Sequence, residues 1–590
     1  MTAPSRAAAP ALERWSRFAL LTACALTALP FVVLLVKVLV APRSAPLGDQ
    51  ALLELRVHDV GTGHTPLVGS YQKFGWNQPG PALLYLLALP YRLLGTDYAA
   101  LQAGAVLLNG LAALGTVALA TRSGGLVVGL WTMALLGLLL SGRGIDIFAD
   151  PWEPSLSVLA LVLLVLVVNE LVLGRAWAMP AAVALASVIA QAWATTAVMA
   201  AALLAWGLLA FVWRWCRHRA EVGTAWRWPV VVSGVVLAGL WLPPFVQQLR
   251  DDPGNVTAMW RFFTADHQTF GLVSAYRAVS IELGARAPWL GFDLPLRPFE
   301  PIIDETAGPI VPLALIALLA GGIFAARRRD PSVALAATVL VLVVSGTLAL
   351  SRLIGEPFVE VVEPTAAYGF LCWLAAGWCA ITALHVGVSA RARVVLVPVL
   401  TAAVVVLGVV NTVAAANAPE PASANERAVQ DLADRAVPVA RAFDGPVLVR
   451  SRVSSEGLLL GEIGPQLLAL TLARAGVDVR VDGNLGHQYG GFRADPDGAC
   501  GELLLTYASD PPDGAGWERV ARVDPLTRAQ RARRDRLEER IDAAFGPVTD
   551  RAERLRVLAR RPDLRELVRE RDRIEGTDPL AVWARPTGAC

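Results

Sequence analysis

Apolar segments of membrane-spanning length dominate the first 415 residues and constrain the fold of this chain most. The first, 18–40, is longer than the core of a signal peptide and precedes no small-residue cleavage site, so we interpret it as a retained helix. A helix crosses the bilayer core with about 20 apolar residues, and further segments of this kind predict about eleven transmembrane helices in all. These further segments are 99–120, 124–140, 155–173, 177–193, 195–214, 228–245, 309–326, 331–350, 366–389 and 392–415.

Charged residues are unevenly distributed along the chain. Overall, 17% of the residues are charged and 55% are apolar, yet 26 of the 52 basic and 28 of the 50 acidic residues lie within 420–590. A soluble protein averages roughly 25% charged residues, so a single soluble fold is excluded. The distribution predicts an all-α polytopic membrane domain over 18–415, followed by a water-soluble domain over 416–590. The net charge of +2 gives no sign of nucleic-acid binding, and we expect none.

Arginine placement predicts the orientation in the plasma membrane. If residues 1–17 are cytoplasmic, every short loop assigned to the inside carries arginine, as the positive-inside rule requires. This agreement depends on dividing 177–214 into two helices near 191–195, where polar side chains interrupt the apolar run. The basic inside positions are Arg122, Arg175, Arg214, Arg217, Arg219, Arg227, Arg327–Arg329, Arg391 and Arg393.

The odd number of spans places the longest segments outside. Long ordered loops commonly carry function, so we expect the chemistry of a multi-pass protein with an extracytoplasmic C-terminal domain to lie on its outer face. The predicted outer loops are 41–98, 141–154, 246–308 and 351–365.

The first outer loop holds carboxylates close to the membrane. Asp49 follows the first span by about nine residues, which suits a base that acts on a lipid-linked substrate; the alternative is a helix N-cap. Glu54 and Asp59 are candidate substrate-binding residues, with solvated charges on a helix face as the alternative. The apolar stretch 81–94 is too short to span and predicts a juxtamembrane helix.

Cations near the outer surface are candidates for phosphate binding. Arg261 and His267 lie in the third outer loop, and a guanidinium group matches phosphate oxygens well, although surface solvation is the alternative. Lys37 lies near the outer end of the first span, where a cation is expected to snorkel or to pair, for example with a lipid phosphate. Arg352 is predicted at a similar depth.

Two further positions complete the candidate site. Asp150, in the second outer loop, is a second carboxylate for acceptor deprotonation or metal binding, with a turn residue before Pro151 as the alternative. Trp76, with Tyr71 and Phe74, either lines a sugar-binding surface or belongs to an interfacial aromatic belt. No metal-ligand spacing is present in the sequence, so a divalent cation is an open expectation.

Three segments resemble a family of actinobacterial polytopic proteins related to GT-C glycosyltransferases. They are GDQALLELRVHDV with PLVGSYQKFGWNQPGPALLYLLALP in the first loop, DPWEPSLSVL in the second and PPFVQQLRDDPGN in the third, and the resemblance covers most of 15–415. It implies a GT-C-like fold that transfers a sugar from a polyprenyl-phosphate donor to a cell-envelope glycan, lipid or protein acceptor on the outer face. By the same resemblance, Asp49 is the leading base and Asp150 the second.

The chain departs from that family's pattern at several positions. The family has His where Gln78 precedes Pro79-Gly80-Pro81, Asn where this chain has Glu153, and Gln-Thr-His where it has Gln191-Ala192-Trp193. Two imidazoles are thus absent, which implies altered specificity or lost activity. The alternative to an enzyme is a carrier or flippase of lipid-linked glycans, or an envelope assembly scaffold.

The tail is predicted to be a small α/β domain with a charged helical end. Strands are expected at 446–451, 477–483 and 502–508, a helix at 463–476, and a charged helical pair between about 525 and 575. His487, Tyr489 and Phe492, in a glycine-rich loop, are candidates for carbohydrate binding. Cys500 and Cys590 would form a disulfide if the tail is extracytoplasmic.

Overall fold

The computed structural model of the 590-residue chain describes most of both predicted domains. Parts of some predicted segments lie outside the described residues, among them 1–7 of the cytoplasmic terminus, 293–308 of the third outer loop and 355–361 of the fourth. The described residues are 8–41, 45–217, 226–292, 311–354, 362–385, 390–418, 424–452, 464–548, 553–554, 557–558, 561–572, 574, 578–588 and 590.

The chain folds into two compact units. The first comprises Met1–Val40 and Leu67–Pro419, and the second comprises Ala41–Pro66 and Glu420–Cys590. The sequence assigned 41–66 to an outer loop of the membrane domain, whereas the structure groups this segment with the tail. The reason is a set of contacts to residues more than 400 positions later, described below.

The first unit is built from helices and one two-stranded hairpin. The hairpin joins β1, Tyr71–Gln72, to β2, Trp76–Asn77, in antiparallel register. The helices are α1 (Ala8–Val40), α3 (Ala82–Leu94), α4 (Tyr98–Arg143), α5 (Glu153–Val172), α6 (Ala178–Ala192), α7 (Ala194–Arg217), α8 (Arg227–Arg250), α9 (Asn255–Thr264), α10 (Leu272–Leu283), α11 (Leu313–Arg327), α12 (Val333–Ser351), α13 (Ala366–His385) and α14 (Ala390–Ala416).

Eight helices among the described residues are long and apolar enough to cross a membrane, so the chain is a multi-pass membrane protein. The 46-residue α4 covers the predicted spans 99–120 and 124–140 and is interrupted at Gly125, with φ 81° and ψ −177°, near the start of the second span. The predicted break near 191–195 is confirmed at Trp193, whose extended backbone (φ −153°, ψ 125°) separates α6 from α7. Since α6 and α11 have only 15 residues each, the count of eleven spans stays a prediction.

Contacts between loops agree with the predicted grouping of loops by side. Arg143, in the second predicted outer loop, bonds to Glu363 in the fourth, with Nε donating to Oε1 at 2.9 Å. The side-chain Nδ2 of Asn255, in the third loop, donates to the backbone carbonyl oxygen of Asn77, in the first, at 2.8 Å. A bridge between Thr269 in the third loop and Ile354 in the fourth links these two pairs, so the four loops share one side of the unit. That this side faces out of the cell stays a prediction.

The second unit is an α/β domain, as the tail sequence predicted. Its sheet has the order β4-β3-β5-β7-β6, in which β4, β3 and β5 are parallel and β7 and β6 are antiparallel to their neighbours. Its elements are α2 (Gly48–Asp59), α15 (Ala424–Arg441), β3 (Val447–Ser451), α16 (Gly464–Arg474), β4 (Val479–Arg480), α17 (Gly486–Tyr489), β5 (Gly501–Tyr507), β6 (Glu518–Val523), α18 (Arg528–Phe545), α19 (Pro562–Asp572) and β7 (Leu580–Pro586).

A disulfide closes the second unit, as the sequence allowed. Cys590, the last residue, is bonded to Cys500, which immediately precedes β5. A Cβ on Gly445 would overlap the sulfur of Cys500, so glycine leaves the room that the bond needs. The sequence predicted this pairing for an extracytoplasmic tail, because disulfides persist in oxidising compartments; that location stays a prediction.

Candidate functional site

Asp49 is an exposed carboxylate in the first turn of α2. The N-cap of this helix is Leu47, which has an extended backbone and makes no side-chain capping bond. The N-cap interpretation of Asp49 is therefore wrong. Asp49 instead lies one residue inside the helix, where a negative charge is favoured by the helix dipole and remains accessible to solvent.

Glu54, unlike Asp49, has a fully buried side chain. It forms an ion pair with Arg474, the last residue of α16. The expectation of a solvated charge is therefore wrong, because α2 packs against α16 and covers this side of the helix. The pair joins segments 420 residues apart in sequence.

Asp59, the last residue of α2, is held by two arginines. Arg493 donates from Nη2 and Nη1 to the two carboxylate oxygens at 2.7 and 2.8 Å, and Arg56 donates to one of them at 3.1 Å. Asp59 is 3% exposed and Arg493 is 5% exposed, so the solvated interpretation is wrong here also. The two parallel hydrogen bonds fix the geometry of this buried pair, and removal of one partner would cost stability because it leaves a buried charge behind. Neither Glu54 nor Asp59 presents surface to a substrate, and a substrate-binding role for either stays a prediction.

The aromatic residues of the glycine-rich tail loop pack against the same segment. The ring of Phe492 stacks on His64, with centroids 3.8 Å apart and planes 6° apart. Tyr489 is buried, and its carbonyl oxygen accepts a bond from Arg493 at 2.7 Å. These contacts give Tyr489 and Phe492 packing roles inside the second unit, while a carbohydrate-binding role stays a prediction.

In the first unit, Lys37 lies near the end of α1 and is paired with backbone carbonyl groups, as expected of a cation in an apolar segment. Its ammonium group donates to the carbonyl oxygens of Ala416, at 3.1 Å, and Ala418, at the carboxyl end of α14. Cations are favoured there because the last carbonyl groups of a helix carry partial negative charge. The contact places the ends of α1 and α14 on the same side, as predicted.

Aromatic rings join the first and third predicted outer loops. Phe262 of α9 stacks on Phe74 with centroids 4.6 Å apart, and lies 5.8 Å from Trp76 and 4.7 Å from His267. Trp76 is 5% exposed and so belongs to the packed part of this cluster. His267 and Arg261 are exposed beside it.

Arg352 is also exposed and lies on the segment next to His267 in space. Thr269 and Ile354 form an antiparallel bridge, and the amide of Phe270 donates to the carbonyl oxygen of Leu353 at 2.8 Å. Three of the predicted phosphate-binding cations thus lie on connected segments. These are Arg261, His267 and Arg352.

Asp150 closes the turn before α5. One carboxylate oxygen accepts the amide of Trp152 at 3.1 Å, and the other accepts the hydroxyl of Ser155 at 3.2 Å. This is the arrangement expected of the turn-residue interpretation. A catalytic role for Asp150 stays a prediction and would compete with these two bonds.

Sequence reasoning missed a buried ion cluster at the end of α4. Arg143 pairs with Glu363, which precedes α13, and lies 3.8 Å from a carboxylate oxygen of Glu282 in α10. Burial chiefly raises the pKa of Glu282, to about 7, while Arg143 and the amide of Trp289 act to lower it. The signal that could have found the cluster is the scarcity of carboxylates next to spans, which in the sequence pointed to Asp49 and Asp150 and not to Glu282 or Glu363.

Two of the three departures from the family pattern, Gln78 and Ala192-Trp193, lie at one junction. The side-chain oxygen of Gln78 accepts the amide of Ala194 at 2.9 Å, immediately after Trp193. The side-chain oxygen of Gln191 accepts the amide of Ala82 at 3.2 Å, at the start of α3. The junction therefore locks the first loop to the break between α6 and α7 without an imidazole.

The described residues offer no cluster of three or more His, Cys, Asp or Glu side chains that could hold a metal ion. The two carboxylates of the buried cluster, Glu282 and Glu363, are held to a common guanidinium, that of Arg143. Because the guanidinium of Arg143 already occupies the space between these two carboxylates, they do not form a ligand set for a divalent cation.

Comparison with known proteins finds similarity at the level of structure. The sequence matches no protein-family model and no curated protein sequence. The crystal structure of ArnT from Cupriavidus metallidurans in the apo state matches with a TM-score of 0.51 at 13% identity, over 85% of this chain and 94% of that one. ArnT bound to undecaprenyl phosphate matches with a TM-score of 0.50 at 13% identity, over 82% and 92% of the two chains.

An archaeal oligosaccharyltransferase from Archaeoglobus fulgidus is more distant, with a TM-score of 0.41 at 10% identity, over 96% of this chain and 88% of that one. ArnT is a glycosyltransferase of the GT-C superfamily. The chain has the fold of ArnT, and the GT-C resemblance read from its sequence is confirmed at the level of fold.

Proposed function

We propose that this chain is a membrane glycosyltransferase that moves a sugar from a polyprenyl-phosphate donor to a cell-envelope glycan, lipid or protein acceptor on the outer face. One observation carries the proposal: 82% of the chain has the fold of a protein whose crystal structure holds undecaprenyl phosphate. In this proposal the N-terminus is cytoplasmic and the second unit is extracytoplasmic, as arginine placement predicts and the disulfide supports.

The reaction is an inverting displacement at the anomeric carbon. The acceptor oxygen forms a bond to that carbon while the bond from the carbon to the phosphate oxygen breaks, and the polyprenyl phosphate leaves with the electron pair. Asp49 takes the proton of the acceptor hydroxyl as general base. Its exposure and its position nine residues after Val40 support this role, because nine residues extend at most about 30 Å.

The leaving phosphate needs charge neutralisation more than a proton. Arg261, His267 and Arg352 are exposed on connected segments of the predicted outer face and suit this task. Asp150 and Lys37 are bound to other groups of the first unit and are weaker candidates. The proposed reaction includes no metal ion, since the described residues hold no group of three or more His, Cys, Asp or Glu side chains that could bind one.

Transfer by Asp49 variants tests the proposal. Purified full-length protein is supplied with a radiolabelled polyprenyl-phosphate sugar and membrane glycan acceptors, and product formation is compared for the wild type, Asp49→Asn and Asp49→Ala. We expect a loss of at least about 100-fold in both variants, the usual contribution of a positioned base, with normal membrane expression. Asp434→Asn, which removes another exposed carboxylate of the second unit, is the control and should transfer normally. Unchanged transfer in both Asp49 variants would overturn the assignment of the base, and no transfer by the wild type from any polyprenyl-phosphate sugar would overturn the proposed activity.

A further inference from the structure

The turn between α5 and α6 is a meeting point of basic residues on the side that the sequence predicts to be cytoplasmic. The turn, 173–177, follows Glu170, whose side chain is 1% exposed. Arg175 pairs with Glu170 and donates to the hydroxyl of Ser123 in α4 at 2.7 Å. The turn is thereby fixed to α4 by a buried carboxylate. The arginines gathered here are Arg122, Arg175 and Arg214.

Arg122 and Arg214 reach the turn from two other helices. The guanidinium of Arg122, in α4, lies over the ring of Trp177 at 5.0 Å from its centroid. The side chain of Arg214, near the end of α7, passes so close to Gly174 that a Cβ there would lie 2.8 Å from its Cδ. Gly174 also has a φ of +88°, which favours glycine. Both the close approach of Arg214 and the backbone conformation therefore require glycine at this position.

The charges of the cluster do not cancel. Within the described part of the chain, Glu170 is the one carboxylate paired with these three arginines, and it pairs with Arg175. Arg122 is exposed and Arg214 is half-buried, and neither is in a salt bridge with a described carboxylate. The cluster therefore presents a net positive charge at the end of three helices, beside an indole ring that is 43% exposed.

We infer that Arg122, Arg214 and Trp177 form a binding site for the phosphodiester headgroup of an anionic phospholipid. Guanidinium groups match phosphate oxygens, and an indole ring is favoured at the depth of the headgroups. The cation–π contact and the packing against Gly174 hold the two guanidinium groups in place, which lowers the entropic cost of binding. The site is independent of the proposed transfer reaction and lies on the side predicted to be opposite to it.

Lipid binding by the full-length protein tests the site. The protein is reconstituted in phosphatidylcholine vesicles with or without fluorescent phosphatidylglycerol, and binding is measured for the wild type, Arg122→Gln, Arg214→Gln and the double variant. We expect affinity for phosphatidylglycerol to fall about five-fold for each arginine removed. Arg122→Lys keeps the charge and should retain most of the binding, which separates loss of the site from loss of the fold.

Arg328→Gln is the matched control, because Arg328 also lies over an aromatic ring, that of Phe324, on another predicted inner turn. It should bind phosphatidylglycerol like the wild type. An equal loss in Arg328→Gln would show a general effect of basic loops and overturn the site. Equal binding of phosphatidylglycerol by the wild type and the double variant, or full displacement by millimolar inorganic phosphate, would overturn it as well.

Discussion

Gln78 caps the start of α7, and Gln191 caps the start of α3. The side-chain oxygen of Gln78 accepts the amide of Ala194 in the first turn of α7, and that of Gln191 accepts the amide of Ala82 in the first turn of α3. Each glutamine satisfies an amide that the start of a helix leaves without an intrahelical partner. The exchange fixes the aromatic hairpin of the first loop to the break between two helices.

Removing either glutamine should destabilise the first unit. Gln191→Ala leaves the buried amide of Ala82 and the carbonyl oxygen of Leu240 without their partner, so we expect a loss of about 1–3 kcal/mol. Thermal unfolding in detergent measures it. Gln430→Ala, which removes a side chain bonded only at an exposed site of the second unit, should change stability by no more than about 0.5 kcal/mol. Equal stability of both variants would contradict the capping role.

Breaking the pair between Asp59 and Arg493 should loosen α2. Arg493→Gln leaves a buried carboxylate with Arg56 alone, and loss of one partner of a buried pair costs roughly 3–5 kcal/mol. Hydrogen exchange should therefore accelerate at the amides of 50–59. Arg435→Gln breaks an exposed pair with Asp431 and should leave this exchange unchanged. The interpretation fails if the two variants exchange alike.

These two relationships show what the sequence could and could not predict. The break at Trp193, the elements β3, α16, β4 and β5 and the pairing of Cys500 with Cys590 follow from local pattern or from the scarcity of cysteine. The sequence did not predict α15, β6 or β7. The partners of Asp59 could not be found that way, because hydrophobic period and turn chemistry report only on near neighbours and Arg493 lies 434 residues away. For the same reason the sequence could not show that segment 41–66 packs with the tail. Asp49 could be nominated because its distance along the chain from a span is a local property, and its catalytic role stays a prediction.

Glu282 should make the stability of the folded protein decrease as the pH rises. Burial raises its pKa from 4.5 to about 7, so the folded protein holds a proton that the unfolded chain releases. The stability from this group is complete below about pH 4.5 and is lost as the pH rises to about 7, a change of roughly 3 kcal/mol. Glu282→Gln cannot ionise and should flatten this slope in unfolding measured at about pH 5 and about pH 8. Asp431→Asn, in an exposed pair, should keep the slope of the wild type, and an unchanged slope in Glu282→Gln would refute the assignment.

Reduction should weaken the second unit. The bond between Cys500 and Cys590 closes a loop of 90 residues, and loss of a native disulfide typically costs about 2–5 kcal/mol. Unfolding with and without reductant measures the effect, and mass spectrometry of alkylated protein verifies the state of the cysteines. Cys216→Ser removes an exposed free cysteine and should show the same response to reductant as the wild type. A protein isolated with both Cys500 and Cys590 alkylated would contradict an oxidising location.

Mass spectrometry of cell-envelope glycans from a deletion strain tests the central claim most directly. The account predicts that the deletion removes a sugar from an envelope glycan, lipid or protein and that the corresponding polyprenyl-phosphate sugar accumulates. Wild-type protein should restore the sugar, whereas Asp49→Asn, expressed at the same level in the membrane, should not. A deletion strain whose glycans and polyprenyl-phosphate sugars are both unchanged would contradict a glycosyltransferase that acts on a lipid-linked donor.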